Sequence, residues 1–192
     1  MNVALFDYGA GNLHSLKKGL EAGGARVDIT SSWDDALIRD ALILPGVGSF
    51  GAAVAALAGE QDRIREALEA GLPALGICLG MQLLFDGSEE GEGRGIGLIS
   101  GRVRILRSAT IPQMGWNEVA AAEDPLFREV EDLVAYFANS FVCEPEDPAT
   151  VIATTEYQGD GFASGVRRGR SWGVQFHPEK SQQVGLKMVE NF

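Results

Sequence analysis

Cysteine and histidine are scarce in this sequence: among 192 residues there are two of each, Cys78, Cys143, His14 and His177. Two distant cysteines make no disulfide framework. Without C-x-x-C or H-x-x-x-H spacing they also fall short of a zinc site, which draws three or four His and Cys ligands. No metal and no cofactor is therefore expected. Basic residues are few as well, 16 Lys and Arg against 27 Asp and Glu, for a formal charge of −11. Nucleic-acid phosphates would be repelled by such a surface, which removes DNA and RNA as partners. No stretch approaches the roughly 20 apolar residues of a membrane span. The opening run Met1-Asn2-Val3-Ala4-Leu5-Phe6-Asp7 lacks a basic segment and is too short for a signal sequence, so a reducing cytoplasm is the expected setting.

Glycine, by contrast, is abundant at 25 residues, and 45 % of the chain is hydrophobic. That suits one compact domain over residues 1–192 with a sizeable core. The glycines fall at element junctions rather than in a low-complexity tract. Short apolar runs at 3–6, 26–29, 41–44 and 73–77 read as strands. Between and after them, 14–22, 34–39, 50–57, 62–70 and 79–85 read as helices, several closed by Gly. This alternation predicts an α/β fold with a doubly wound, mostly parallel sheet and helices on both faces. From about residue 100 the texture changes. Strands are expected at 103–106, 115–119, 134–137, 151–155, 162–167 and 172–176, several as antiparallel additions to the sheet, with a closing helix at 181–192. Residues 86–97 form the loosest segment, either a loop over the site or a plain solvated one.

The chemistry concentrates in two places. Gly76-Ile77-Cys78-Leu79-Gly80 has the form of a nucleophile elbow with cysteine as nucleophile, a strand-to-helix turn where only small neighbours leave room. Phe176-His177-Pro178-Glu179 supplies a base and a carboxylate; in an extended stretch residues i and i+2 share a face, so Glu179 can orient His177. Together they read as a Cys78-His177-Glu179 triad for acyl transfer. Cys143 has no such frame and is assigned to packing, and His14 to a surface or capping place. An oxyanion hole needs backbone N–H groups aimed where negative charge develops. Leu79, just after the nucleophile, is one candidate. The Pro45-Gly46-Val47-Gly48 loop, ending another strand on the same rim, offers a second at Val47 or Gly48. The glycines of that loop let the Val47–Gly48 peptide switch orientation. Gln82 lies one helical turn after Cys78, on the same face. The arginines 102, 104, 107, 167, 168 and 170 are most simply solvated strand faces.

These residues, with Asp7-Tyr8-Gly9-Ala10-Gly11-Asn12, Met114-Gly115-Trp116-Asn117 and Gln175-Phe176-His177-Pro178-Glu179-Lys180-Ser181, resemble the class I, triad-type glutamine amidotransferases along essentially the whole chain. Their detail is nearer to the glutaminase subunits of imidazole glycerol phosphate synthase than to the anthranilate or GMP branches. The resemblance implies a flavodoxin-like fold and hydrolysis of L-glutamine to glutamate and ammonia. It implies a glutamine pocket walled by Gly46, Gln82, Glu90, Ser140 and Phe141. It also implies a heterodimer with a (β/α)₈-barrel cyclase, which takes up the ammonia, and places Asn12, Trp116, Asn117, Tyr136 and Lys180 on the docking face. Gln113 and Asn139 depart from the family pattern, which commonly has histidine at both positions. Other readings from the same residues are a subunit of anthranilate synthase type, a stand-alone cysteine hydrolase, or a binding subunit without activity.

Overall fold

The computed structural model describes residues 1–9, 13–46 and 48–192. In its first half strands and helices alternate: β1 (Asn2–Phe6), α1 (His14–Ala22), β2 (Arg26–Thr30), α2 (Trp33–Ala36), β3 (Ala41–Leu44), α3 (Phe50–Leu57), α4 (Gln61–Glu69), β4 (Ala74–Ile77) and α5 (Leu79–Gln82). Strands then dominate: β5 (Gly87–Ser88), β6 (Gly101–Ile105), β7 (Gln113–Glu118), β8 (Ala120–Ala121), β9 (Val134–Asn139), β10 (Phe141–Pro145), β11 (Val151–Tyr157), β12 (Asp160–Arg168) and β13 (Ser171–Val174), before the closing α6 (Gln182–Asn191).

The main sheet runs β2-β1-β3-β4-β13-β12-β10-β6-β5. Its first five strands pair in parallel, and β12, β10 and β6 are added antiparallel. β7 and β9 form a separate antiparallel ribbon. Successive side chains of a strand point to opposite faces, and the parallel strands bury both. Val3, Leu5, Ile43, Leu75 and Ile77 face a core closed by Leu16 and Leu20 of α1 and Met188 of α6. Ala4, Phe6, Leu42, Leu44 and Ala74 face the other core, against Trp33 of α2, Phe50 and Leu57 of α3, and Ile64 and Leu68 of α4. Helices on both faces of a mostly parallel sheet are the architecture the sequence predicts. Local signals set the helix starts: the Ser32 and Ser49 hydroxyls accept the backbone N–H groups of Asp35 and Ala52, capping α2 and α3.

The structure corrects several expectations. β10 is a strand that the sequence reading passed over; it joins β6 to β12. Helix α5 stops at Gln82 rather than 85, and the last strand ends at Val174 rather than 176. Segment 86–97 is tied down at its start, where the Asp86 carboxylate accepts Gly101 N–H at 2.9 Å and β5 pairs with β6. Arg104 is not solvated: it is 5 % exposed and its guanidinium donates two 2.8 Å bonds to the Asp160 carboxylate. Arg104 holds that carboxylate below its usual range, by hydrogen bonding first and against the opposing effect of burial. No helix among the described residues is long and apolar enough to cross a membrane.

Candidate active site

Three neighbouring parallel strands, β3, β4 and β13, carry Gly46, Cys78 and His177 just past their carboxyl ends. Ligands in doubly wound sheets bind at such ends. Cys78 itself has φ 49° and ψ −106°, a conformation that costs a side-chain-bearing residue about 1–3 kcal/mol. The elbow is pinned by Cys78 N–H donating to Val174 C=O at 2.7 Å and by Gln82 N–H donating to Cys78 C=O at 3.1 Å. The flanking glycine is obligatory for a packing reason. A Cβ on Gly80 would sit deep inside the Leu44 carbonyl of the neighbouring strand. Gly80→Ala is therefore expected to lower stability by about 3 kcal/mol, the upper end for overpacking, measured by denaturant unfolding. Gly51→Ala, where an added Cβ meets nothing within 4 Å, is the control and should show no loss.

Gly46 makes the other close approach. Its hypothetical Cβ would lie 2.7 Å from Cys78 Cβ and 3.1 Å from His177 Cε1. The loop after β3 thus presses its backbone directly against nucleophile and base. Gly48, at φ 98°, continues that loop to the pocket wall. Val47, expected beside it in the oxyanion hole, and Asn12, expected at the docking face, lie outside the described residues.

His177 is 6 % exposed, and its Nδ1 stands 2.8 Å from Glu179 Oε1. The i, i+2 contact anticipated for an extended strand exists, but a different backbone makes it. The strand ends before His177, and Pro178–Lys180 is a single 3₁₀ turn that swings Glu179 back to the ring. Proline's fixed φ suits the first position of such a turn. Cys78 is the imidazole's other polar neighbour: both flank Gly46, and the thiol acts on the ring's pKa. Burial by itself would lower the imidazole pKa, yet Cys78 and the hydrogen-bonded Glu179, with the charges they carry, push it up to about 10. Cys143 differs: burial, helped by the nearby Cys78 charge, pushes its thiol well up. Such a thiol stays protonated and inert.

A cavity of about 210 Å³ opens over Cys78, a volume for a small metabolite rather than a drug-sized ligand. All the residues expected to wall a glutamine pocket line it: Gly46, Gln82, Glu90, Ser140 and Phe141, joined by Leu79 and Asn139. Glu90 is held in place by accepting Phe50 N–H at the start of α3, at 3.1 Å. Its carboxylate gives the wall a negative group for an ammonium. Gln82 donates from Nε2 to Phe141 C=O at 3.3 Å. A larger cavity, about 720 Å³ between the β11–β12 hairpin and β10, contains no histidine.

Two side chains that sequence reasoning did not single out touch the triad. Gln175 Nε2 lies 3.5 Å from Cys78 Sγ. Ser181 donates its hydroxyl to His177 C=O at 2.7 Å and accepts Tyr136 N–H at 3.0 Å. The signal for Gln175 was its place two residues before His177, hence on the same face of an extended segment. Gln113 and Asn139, the two departures, are cross-strand neighbours on β7 and β9, both buried. Among the described residues both amide atoms of Gln113 and Oδ1 of Asn139 lack a hydrogen-bond partner.

The ribbon β7–β9 carries Trp116, Asn117 and Tyr136 of the expected docking face, with Lys180 in the adjoining 178–180 turn. Trp116 is 49 % exposed and packs edge-on against Tyr136, centroids 6.1 Å apart. Lys180 Nζ stands 5.6 Å from the Tyr136 ring centroid. Asn117 donates to Glu156 C=O at 2.9 Å. The ribbon is fastened to the catalytic turn by His177 N–H donating to Tyr136 C=O at 2.8 Å.

Comparison with known proteins gives the chain a family. Residues 4–192 match the family model described as glutamine amidotransferase class-I. The chain is 45 % identical to imidazole glycerol phosphate synthase subunit HisH of Gloeothece citriformis, covering 99 % of this chain and 94 % of that protein. It is 42 % identical to the protein of the same name from Halobacterium salinarum, covering 100 % of this chain and 92 % of the other. Among solved structures, a crystal structure titled glutamine amidotransferase superposes with TM-score 0.77 at 19 % identity, covering 98 % of each chain. A chain of the PurLQS structure from Thermotoga maritima gives 0.75 at 22 % identity, covering 99 % of this chain and 96 % of that one. At those identities the structural likeness speaks for the fold.

Proposed function

Because this chain belongs to the class I glutamine amidotransferases, we propose that it is the glutaminase subunit of an imidazole glycerol phosphate synthase, acting in histidine biosynthesis. The carrying observation is the gathering of Cys78, His177 and Glu179, with Cys78 opening onto a small pocket, in a chain alike along its length to proteins of that name. In this reading the Cys78 thiolate attacks the carboxamide carbon of glutamine, and the carbonyl oxygen takes up the negative charge. Leu79 N–H and the 46–48 loop stabilise that oxyanion. The C–N bond then breaks as the His177 imidazolium protonates the leaving nitrogen, releasing ammonia. Water next attacks the glutamyl thioester and gives its proton to His177. The C–S bond breaks, glutamate leaves, and sulfur regains its electron pair. Glu179 holds the ring throughout. Gln82, Glu90 and the Ser140-Phe141 segment grip the amino-acid end of the substrate.

Ammonia passes unprotonated to a (β/α)₈-barrel cyclase, with which the chain forms a heterodimer. What supports a partner on the triad side is the exposed apolar face of the ribbon. Met114 is 64 % exposed, Trp116 49 % and Val134 37 %, and aromatics are enriched in interface cores. The test is a coupled assay of glutamate release with and without the ligand-bound cyclase. Glutamine hydrolysis should be slow alone and strongly stimulated by the partner. Trp116→Ala and Lys180→Ala should each weaken association about tenfold or more, the effect of an interface hot spot, while the isolated subunit stays folded. Equal activity with and without the partner would overturn the assignment, and normal binding and coupling by both variants would move the interface elsewhere.

A further inference from the structure

We propose that Gln175 is a catalytic residue, donating an amide hydrogen bond to Cys78 Sγ that stabilises the thiolate as nucleophile and again as leaving group. The inference rests on the thioester chemistry above. Gln175 is fully buried just beyond β13, its backbone N–H fixed on Ser164 C=O at 3.0 Å. The direction of its amide follows from its neighbours. Phe141 C=O can only accept, so the Gln82 atom beside it, at 3.3 Å, is the nitrogen. The same Gln82 nitrogen lies 3.4 Å from a Gln175 side-chain atom, which must then be the carbonyl Oε1. That leaves Gln175 Nε2, an obligate donor, 3.5 Å from sulfur.

A neutral thiol is a weak acceptor and a thiolate a good one, and a charge-assisted bond is roughly twice as strong as a neutral one. The Gln175 donor therefore distinguishes the states of Cys78. It favours the free thiolate over the thioester, in which sulfur carries no charge. During hydrolysis the bond strengthens as the C–S bond breaks and its electron pair returns to sulfur, so departure of the thiolate is assisted. Gln82 sits between Gln175 and the pocket, so a substrate packed against Gln82 also fixes the Gln175 amide. The titratable groups around Cys78 are His177 with Glu179 past β13, Cys143 on β10 and Glu90 on the pocket wall. Gln175 is the uncharged donor in that set.

The test uses the intact subunit, iodoacetamide as probe and mass spectrometry of the Cys78 peptide, with neither glutamine nor partner present. Gln175→Leu should slow alkylation about tenfold at neutral pH, the value of one hydrogen bond to a charged group. The deficit should vanish at alkaline pH, where the thiolate forms without help. In the coupled assay kcat should fall about tenfold while KM stays within about twofold. Gln175→Glu keeps the acceptor for Gln82 but sets a carboxylate oxygen against sulfur, and should alkylate more slowly still. Wild-type alkylation rates at neutral pH would overturn the proposal. So would a deficit that persists unchanged at alkaline pH, the mark of a displaced rather than a protonated sulfur. If the leucine variant does not fold, the isosteric glutamate decides; if neither folds, Gln175 is structural and the proposal fails. Alkylation needs no glutamine, so a different natural substrate would silence the coupled assay alone.

Discussion

Cys78→Ala is expected to abolish glutamine-dependent synthesis while leaving synthesis from free ammonia by the partnered enzyme unchanged. Removing the nucleophile of a comparable triad costs about 10⁶ in kcat, and no other thiol here can substitute. Cys143 is 2 % exposed with its thiol pushed well up by burial, whereas Cys78 stands beside a histidine whose pKa it helps to raise. Alanine keeps the Cβ and so keeps the strained φ of 49° at this position, which leaves the fold and the docking face as they are. Glutamate release, ammonia-dependent product formation and partner affinity can all be read on one preparation. An electrophilic glutamine analogue should label the wild-type chain at Cys78, and labelling at Cys143 would reverse the assignment.

Much of this site is legible before any coordinates because its determinants are local. The strands that carry it are short and buried on both faces, so they read as apolar runs bounded by proline, as at Ala41–Leu44 before Pro45 and Ala74–Ile77 after Pro73. The elbow declares itself through two glycines whose absence of Cβ the packing demands. What sequence reasoning missed depends on distant partners. Strand β10 has only the three apolar residues Phe141-Val142-Cys143 before Glu144 and Pro145; β6 and β12 flank it and complete it as a strand. Arg104 reads as a solvated strand residue until Asp160, 56 positions away, is brought against it. The triad shows both cases at once. Its members were legible, but a 3₁₀ turn rather than a strand brings His177 and Glu179 together. For Gln175 the spacing to His177 gives only the shared face; the fold is what brings its amide to the sulfur of a residue 97 positions earlier.

His177→Ala and Glu179→Gln should separate the base from its orienting carboxylate. Losing the base of a comparable triad costs about as much as losing the whole triad, roughly 10⁶ in kcat, whereas losing the carboxylate costs nearer 10⁴. Glu179→Gln should therefore retain about a hundredfold more activity than His177→Ala, with the fold of both intact. The pH dependence follows from the pKa of His177, raised from 6.5 to about 10. A raised folded-state pKa means that in the free enzyme, where the Cys78 charge faces the ring, the imidazolium persists through neutral pH and is lost as pH rises through about 10; once sulfur is acylated that charge is gone and the ring can act as base. Proton donation to the leaving nitrogen should fail along that alkaline limb. The stability that the buried cation draws from its partners follows the same sign: fully present below the unfolded value, lost as pH climbs through the folded one. Glutamine in place of Glu179 keeps an oxygen that can accept from Nδ1–H but removes the carboxylate charge that helps raise this pKa. The alkaline limb of Glu179→Gln should thus move to lower pH, a shift that pH–rate profiles and histidine NMR titration both read. Near wild-type hydrolysis by His177→Ala would reject the triad. An unmoved limb in Glu179→Gln would assign the carboxylate to packing, and with it the 2.8 Å contact to Nδ1.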